Sequence, residues 1–241
     1  MEIGQTLWQR GRHQVLNLFL AAPCPLCRRS TITCPCPSCQ RQLRQCQLST
    51  PLQYSHADLA VISWGQYDGP LKRVIGVFKY DGQWDLARWL GRELGQTWQH
   101  YRPAAPAPSI TLVPIPLHPS RLQQRGFNQA ELLARWVSRS GPVPLCADGL
   151  LRVQATQAQH SLTRRARQQN LMRAFAINPK RVDYLRQRSV WLVDDIFTTG
   201  ATALAVTQVL RSEGIRVAGI CTVARAEAWQ PAIPEDGSGY R

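Results

Sequence analysis

Residues 190–202 read VWLVDDIFTTGAT, and this stretch decides the fold class of the chain. The four apolar residues at its start predict a buried strand, and the polar loop that follows opens a predicted helix over residues 201–212. Two acids stand between the strand and the loop. In an open parallel sheet, ligands bind beyond the carboxyl ends of the strands. We therefore expect Asp194 and Asp195 to lie at a ligand site.

The chemistry of the same stretch suits a sugar phosphate. Two adjacent carboxylates can accept hydrogen bonds from a vicinal diol, or they can hold a magnesium ion. The loop offers backbone N–H groups, hydroxyls and a helix N-terminus, which together suit a phosphate. A ribose 5-phosphate satisfies both halves, and the alternative is an ordinary N-cap turn whose acids face water. The expected phosphate-binding residues are Thr198, Thr199, Gly200, Ala201 and Thr202.

Strands and amphipathic helices alternate on either side of this stretch from residue 58 onward. Residues 110–115 and 215–223 predict further strands, and Asn128 with Glu131 predicts the start of a helix over residues 129–137. Two apolar stripes at helical spacing predict two more helices. The stripes are Leu71, Val74, Ile75 and Phe78, and then Leu86, Trp89, Leu90 and Trp98. Their tryptophans could stack on bases, but such stripes are more often core. The pattern predicts an α/β fold, a mostly parallel sheet flanked by helices.

Six of the eight cysteines fall within residues 24–46. Two CxxC pairs, separated by eight residues, have the spacing of a tetrahedral zinc site. A disulfide framework is the alternative, but residues 15–22 make a poor signal peptide, so nothing places the chain in an oxidising compartment. We expect a zinc-binding module over residues 23–48, after an N-terminal helix over residues 1–22. The expected zinc ligands are Cys24, Cys27, Cys36 and Cys39, and Cys34 or Cys46 could replace one of them.

The chain is strongly basic, with 29 basic and 15 acidic residues and a formal net charge of +14. Arginine accounts for 26 of the basic residues, and its planar fork binds phosphate oxygens in pairs. Nucleic acid, a phosphorylated small molecule, a membrane surface and a merely solvated surface all fit this charge. No stretch approaches the roughly 20 apolar residues of a membrane span, so we expect a cytoplasmic protein. Residues 229–241, rich in Pro, Gly and acids, are predicted to be disordered.

The sequence resembles the ComF family, a group of type I phosphoribosyltransferase-like proteins associated with competence and DNA uptake. Four blocks in order carry the resemblance. They are the paired CxxC module, residues 112–130 (LVPIPLHPSRLQQRGFNQA), residues 152–175 (RVQATQAQHSLTRRARQQNLMRAF) and residues 190–202, which resemble a fingerprint for phosphoribosyl pyrophosphate. The resemblance implies a type I phosphoribosyltransferase fold over residues 58–228, with a zinc ribbon as the N-terminal module.

The resemblance also implies roles for single residues. Asp194 and Asp195 would bind the ribose hydroxyls, while Arg121 and Arg125 would contact the diphosphate. The family pattern RxxxTxxQxxL falls on Arg152, Thr156, Gln159 and Leu162, and RxxN falls on Arg167 and Asn170. This segment would close over the diphosphate, with Arg167 acting on the leaving group and with Gln159 and Asn170 ordering the segment.

The composition of residues 151–189 fits such a segment, because it holds nine basic residues and one acid. A triply charged diphosphate suits this charge. The alternative is that Arg164, Arg165 and Arg167 form a solvated helical face or a nucleic-acid patch. The chain departs from the family pattern in two places. It has the additional cysteines Cys34 and Cys46, and it has Gln123 and Gln124 in a stretch that is often more basic.

Three functions are consistent with these observations. The first is an enzyme that transfers phosphoribosyl to an acceptor, with Mg²⁺ on the departing diphosphate and zinc as a structural ion. The second is a sensor that binds phosphoribosyl pyrophosphate without catalysis. The third is an accessory of the DNA-uptake machinery, in which the zinc module and arginines contact single-stranded DNA. No basic groove with interleaved aromatics can be recognised for that third role.

Overall fold

A mostly parallel sheet lies at the centre of the computed structural model, which describes residues 22–55, 58–102, 109–154 and 171–227. In chain order, the elements are β1 (Ala22–Pro23), β2 (Ser30–Thr31), α1 (Pro37–Arg44), β3 (Leu52–Tyr54), β4 (Ala60–Gln66), α2 (Gly69–Tyr80), α3 (Leu86–Tyr101), β5 (Ile110–Pro114), α4 (Pro119–Arg125), α5 (Gln129–Ser140), β6 (Leu150–Arg152), β7 (Phe175–Ile177), α6 (Val182–Arg186), β8 (Ser189–Phe197), α7 (Ala201–Ser212) and β9 (Arg216–Arg225). The predicted N-terminal helix and the tail over residues 229–241 lie outside the described residues.

Five strands form the central sheet in the order β3-β4-β9-β8-β5. β4, β9, β8 and β5 run parallel, and β3 pairs antiparallel with β4. The predicted α/β fold with a mostly parallel sheet is therefore confirmed. The sequence interpretation named neither β3 nor β4. β3 has three residues, too short a run to show a strand period, and β4 is an almost wholly buried run without polar alternation.

Both faces of the sheet are covered, since successive side chains of a strand point to opposite faces. Trp191 and Val193 of β8 belong to a core shared with α2, α3 and α5. Val190 and Leu192 belong to a second core shared with α7. The alternation explains why β8 reads as a continuous apolar run, as expected for a strand buried on both faces.

The two apolar stripes form the buried faces of α2 and α3, as predicted. Trp98 is fully buried, and its ring packs edge-on against Trp191 with centroids 5.6 Å apart. Trp89 meets Trp64 in the same way at 5.4 Å. Because these rings are buried, the core interpretation of Trp89 and Trp98 is confirmed and the base-stacking alternative is excluded for both.

Helix α5 begins at Gln129, as predicted, and continues to Ser140. The side chain of Asn128 caps it by accepting a hydrogen bond from the Ala130 N–H at 3.1 Å. Glu131, however, pairs with Arg135 at 2.6 Å. The N-cap half of the predicted capping box is therefore present, whereas Glu131 forms an i,i+4 ion pair with Arg135.

The cysteine-rich module packs on the main sheet domain. Leu26 and Leu43 are buried in the core that holds α2 and α3. Arg73 of α2 donates a hydrogen bond to the Leu26 carbonyl at 2.7 Å, and Arg44 of α1 pairs with Glu93 of α3 at 3.0 Å. Folding of the module and folding of this side of the sheet are thus linked through shared buried surface.

We expect Gly219→Ala to destabilise the sheet, because a methyl group there would lie 2.6 Å from the carbonyl oxygen of Ala60 and 2.6 Å from the Trp191 ring. Forced overpacking of this kind costs about 1–3 kcal/mol. Gly76→Ala is the matched control, since nothing lies within 4 Å of the added methyl on α2, and alanine gains about 0.5–1 kcal/mol in a helix. Urea unfolding of both variants measures the difference, and equal stabilities would contradict the expected clash.

Candidate functional site

The acid pair lies inside β8, near its carboxyl end. β8 extends to Phe197, so Asp194 and Asp195 are strand residues, whereas the sequence interpretation placed them just after a strand ending at Val193. The neighbouring β5 ends at Pro114, opposite Val193, so the acids project past the end of β5. Because the two residues are consecutive in a strand, their side chains leave on opposite faces of the sheet.

Lys79 in the last turn of α2 holds one of the acids. Its ammonium nitrogen lies 2.9 Å from Oδ2 of Asp195, and both side chains are largely buried. A buried ion pair of this kind fixes the carboxylate in place, because separating the charges would leave each one poorly solvated. The sequence analysis missed Lys79. The available signal was its place directly after the apolar stripe of α2, on the same turn as Phe78.

The pKa of Asp194 is raised to about 7, first by burial and then by the charge of Asp195. Three groups oppose this shift, namely the Asp195 backbone N–H, Lys79 and Arg152. The N–H donates to Oδ1 of Asp194 at 2.8 Å. Burial and like charge disfavour the ionised form of a carboxyl group, so this acid would gain from hydroxyl or cationic partners brought by a ligand.

The raised pKa predicts a stability that depends on pH. Because Asp194 binds its proton more tightly in the folded chain than in the unfolded chain, the free energy of unfolding should fall as pH rises from about 4 to about 7. Asp194→Asn should flatten this part of the profile. Asp183→Asn, which alters an exposed acid of α6, should leave it unchanged. Urea unfolding of ligand-free protein across this pH range is the measurement, and a wild-type slope in Asp194→Asn would contradict the assignment.

Arg152 approaches the acid pair from the hairpin of β6 and β7. Its guanidinium stacks over the Phe175 ring, 5.1 Å from the centroid. Its pKa is lowered by burial and then by the charge of Arg121, while Asp194 acts in the opposite direction. Arg121 of α4 is exposed. Arg152 therefore acts on Asp194, and an anion bound beside Arg152 and Arg121 would relieve the repulsion between these two arginines.

Arg125, the other arginine predicted at the diphosphate, is engaged with neighbouring side chains. It lies 5.0 Å from the Tyr80 ring centroid and donates hydrogen bonds to the Tyr80 hydroxyl at 3.4 Å and to Oε1 of Gln129 at 3.1 Å. These contacts join α4 to the end of α2 beside Lys79. Arg125 is thus placed to hold the two helices together at the rim of the site.

The loop after β8 has the predicted form of a strand-to-helix turn. Thr198 and Thr199 are exposed, and Gly200 takes a left-handed conformation with φ of 75° as the N-cap of α7. Oγ1 of Thr199 accepts a hydrogen bond from the Ala201 N–H at 3.4 Å. A methyl group at Gly200 would lie 2.8 Å from the Phe197 ring. Glycine is therefore required for the conformation and for the space. Thr202 lies in the first turn of α7, where N–H groups point toward the loop.

The four predicted zinc ligands come together in space. The sulfur atoms of Cys24, Cys27, Cys36 and Cys39 lie within 4.8 Å of one another. Two of the separations are 3.6 Å, between Cys27 and Cys36, and 3.9 Å, between Cys24 and Cys39. Tetrahedral zinc with Zn–S bonds of about 2.3 Å requires sulfurs about 3.8 Å apart. The four sulfurs therefore fit a structural zinc ion, and all eight cysteines are free of disulfides.

Local structure brings the two cysteine pairs together. The hairpin of β1 and β2 carries the first pair, and the second pair stands at the start of α1. Burial disfavours the Cys24 thiolate, but backbone N–H groups of Cys36, Leu26 and Cys27 outweigh it and lower the Cys24 pKa to about 6. Burial and the other three cysteines instead raise the pKa of Cys39. Cys34 and Cys46 lie outside the sulfur cluster, so the question of a substitute ligand is answered in favour of the two CxxC pairs.

Comparison with known proteins establishes the family. No protein-family profile matches the chain. Competence protein F of Haemophilus influenzae is 34% identical over 169 residues, which are 67% of this chain and 71% of that protein. The chain belongs to the ComF family. DNA utilization protein YhgH of Escherichia coli K12 is 29% identical over 214 residues, 84% of this chain and 89% of that protein. Competence protein ComFC of Bacillus subtilis is 26% identical over 148 residues, 61% of this chain and 56% of that protein.

Part of the predicted ComF site lies outside the described residues, namely Gln159, Arg167 and Asn170. The two ends of their segment are held together, because Arg152 of β6 pairs with Phe175 of β7. Within the described residues the structure brings Asp194 and Asp195 together with Lys79 and Arg152, and the charge of Arg121 acts on Arg152. No helix in the described part of this ComF chain is long and apolar enough to cross a membrane.

Proposed function

We propose that this ComF protein binds phosphoribosyl pyrophosphate at β8 and the loop before α7, and that it transfers phosphoribosyl to an acceptor. The observation that carries the proposal is the acid pair of β8, which Lys79 and Arg152 flank at the end of the sheet. Two acids that suit a diol, a glycine-capped loop that suits a phosphate and one arginine, Arg152, that suits a diphosphate lie at this end of the sheet. This is the set of groups that one sugar carrying both kinds of phosphate requires.

In the proposed reaction, a lone pair of the acceptor attacks the anomeric carbon. The bond from that carbon to the diphosphate breaks, and its electron pair leaves with the diphosphate. Asp194 and Asp195 would hold the ribose hydroxyls, and the loop with Thr198 and Thr199 would hold the 5′-phosphate. Arg121 and Arg167 would stabilise the charge that develops on the leaving group.

Magnesium would supply charge neutralisation on the diphosphate when bound with the substrate. The ammonium of Lys79 already faces Asp195 at 2.9 Å, which supports assigning the acids to hydroxyls and the metal to the diphosphate oxygens. We also propose a cytoplasmic location. Its support is the cluster of four free cysteines, because the cytoplasm keeps thiols reduced.

The names of the relatives favour a second candidate role. Competence protein F and DNA utilization protein YhgH are named for competence and DNA use, so we propose that this chain takes part in DNA uptake, with single-stranded DNA or the uptake machinery as its partner. A non-catalytic sensor of phosphoribosyl pyrophosphate is compatible with both roles. The same site residues would serve the sensor, but no diphosphate would be released.

Calorimetry with phosphoribosyl pyrophosphate, followed by a diphosphate-release assay, tests the proposal. We expect binding, and slow diphosphate release with Mg²⁺ and water alone. Arg167→Ala should lower that rate by about tenfold or more and the affinity far less, because a contact made chiefly in the transition state changes the barrier. Arg173→Ala, at an exposed arginine nearby, is the control. Binding without release for any nucleobase or amine would favour the sensor, and no binding would contradict the proposed site.

A further inference from the structure

Helices α3 and α5 pack closely together, so that Trp136 of α5 lies directly against α3. Gly91 faces α5, and a methyl group there would lie 2.5 Å from Cβ of Trp136. Gly95, one turn further, faces Ser140 in the same way. Small residues at a helix crossing allow such an approach. As a result the half-buried Trp136 ring lies between side chains of both helices.

Three guanidinium groups surround this ring. Arg88 and Arg92 lie one turn apart on α3, at 5.9 Å and 5.8 Å from the ring centroid, and Arg139 of α5 lies at 4.7 Å. We define these three arginines and Trp136 as the α3–α5 arginine surface. All of these distances fall within the range of cation–π attraction, about 6 Å.

The charges of this surface are uncompensated within the described residues. None of its three arginines forms a salt bridge there, and the acids on the same helices have other partners. Glu93 pairs with Arg44 at 3.0 Å, and Glu131 pairs with Arg135 at 2.6 Å. Three like charges around one ring repel each other, so a bound polyanion would lower the free energy of the surface.

The side-chain types favour single-stranded nucleic acid as that polyanion. Guanidinium groups bind phosphate oxygens in pairs, and their flat faces stack on bases, as aromatic rings do. Non-specific binding of single strands combines these two elements, a basic surface and flat groups for stacking. An acidic peptide would use only the charge, whereas a single strand would use both the charge and the flat groups.

We infer that the α3–α5 arginine surface binds single-stranded nucleic acid along its phosphate backbone. The inference rests on the proposed role in DNA uptake and assigns the contact to arginines of α3 and α5 instead of those of the zinc module. It does not depend on phosphoribosyl binding. α5 begins beside the β8 site, and Trp136 lies seven residues into it, about 10 Å along the helix axis.

Fluorescence anisotropy with labelled oligothymidine of about 20 nucleotides, longer than a typical single-strand site, tests the inference. The variant carries Arg88→Gln, Arg92→Gln and Arg139→Gln. Each lost phosphate contact reduces the salt dependence, so the slope of log K against log salt should fall by about 2 for three contacts. Affinity at low salt should fall by about tenfold or more. Both results together support the surface.

The matched control replaces Arg28, Arg29 and Arg41, three exposed arginines of the zinc module, by glutamine. The charge change is the same, and the control should retain wild-type affinity within about twofold. A larger loss in the control than in the α3–α5 variant would overturn the inference and favour the zinc module. Absence of binding by wild type, or equal competition by polyglutamate, would also overturn it. Calorimetry with phosphoribosyl pyrophosphate on the same variants should show unchanged affinity, which separates this surface from the β8 site.

Discussion

Replacing Cys39 with serine should remove the zinc ion and unfold the N-terminal module. Serine cannot supply the thiolate that completes the set of four sulfurs lying within 4.8 Å of one another. Structural zinc contributes about 10 kcal/mol or more to small thiolate modules, which is comparable with the whole stability of a domain, about 5–15 kcal/mol. Because Leu26 and Leu43 share the core of α2 and α3, the loss should spread into the main domain.

Elemental analysis of protein purified without added metal is the first measurement, with about one zinc per chain expected for wild type. Thermal unfolding is the second. Cys46→Ser is the matched control, because the Cys46 sulfur lies outside the cluster and near the Gln42 carbonyl. We expect this control to keep both the zinc and the melting temperature. Full zinc content in Cys39→Ser would show that the four sulfurs do not form the metal site.

Replacing Asp195 with asparagine should weaken the binding of phosphoribosyl pyrophosphate by about 100-fold or more. Hydrogen bonds to a charged group are worth about 1.5–3 kcal/mol each, and a carboxylate facing a diol can make two of them. The substitution also leaves the Lys79 ammonium, now 2.9 Å from the carboxylate, without its anionic partner. Calorimetry at neutral pH measures the loss.

Two further variants separate a ligand contact from a structural effect. Asp183→Asn removes one negative charge at an exposed position of α6, and its affinity should equal that of wild type. Lys79→Met should weaken binding and also lower the melting temperature, because it leaves the buried Asp195 carboxylate unpaired. Wild-type affinity in Asp195→Asn, with the fold intact by circular dichroism, would rule out the acid pair as the ribose site.

Much of the site could be predicted because its parts are local in the sequence. The acids, the threonines and Gly200 are consecutive, so the strand, the loop and the helix that present them appear in one short stretch. The zinc ligands could be predicted for the same reason, since each CxxC places two sulfurs on one turn. Lys79 could not be predicted in this way. It lies 116 positions before Asp195 and reaches it only because α2 packs across the sheet.

The sequence by itself determined the fold class, the helices α2, α3 and α7, the four clustered cysteines and the presence of the acid pair near the carboxyl end of a buried strand. These features depend on apolar periodicity and on the spacing of neighbours, which are properties of short stretches. Only the tertiary structure decided how the charges pair. It set Lys79 against Asp195, turned Arg152 toward Asp194, and gathered Arg88, Arg92 and Arg139 around Trp136. Such pairings depend on how separate elements pack, and the strength of each charge interaction depends on distance and burial.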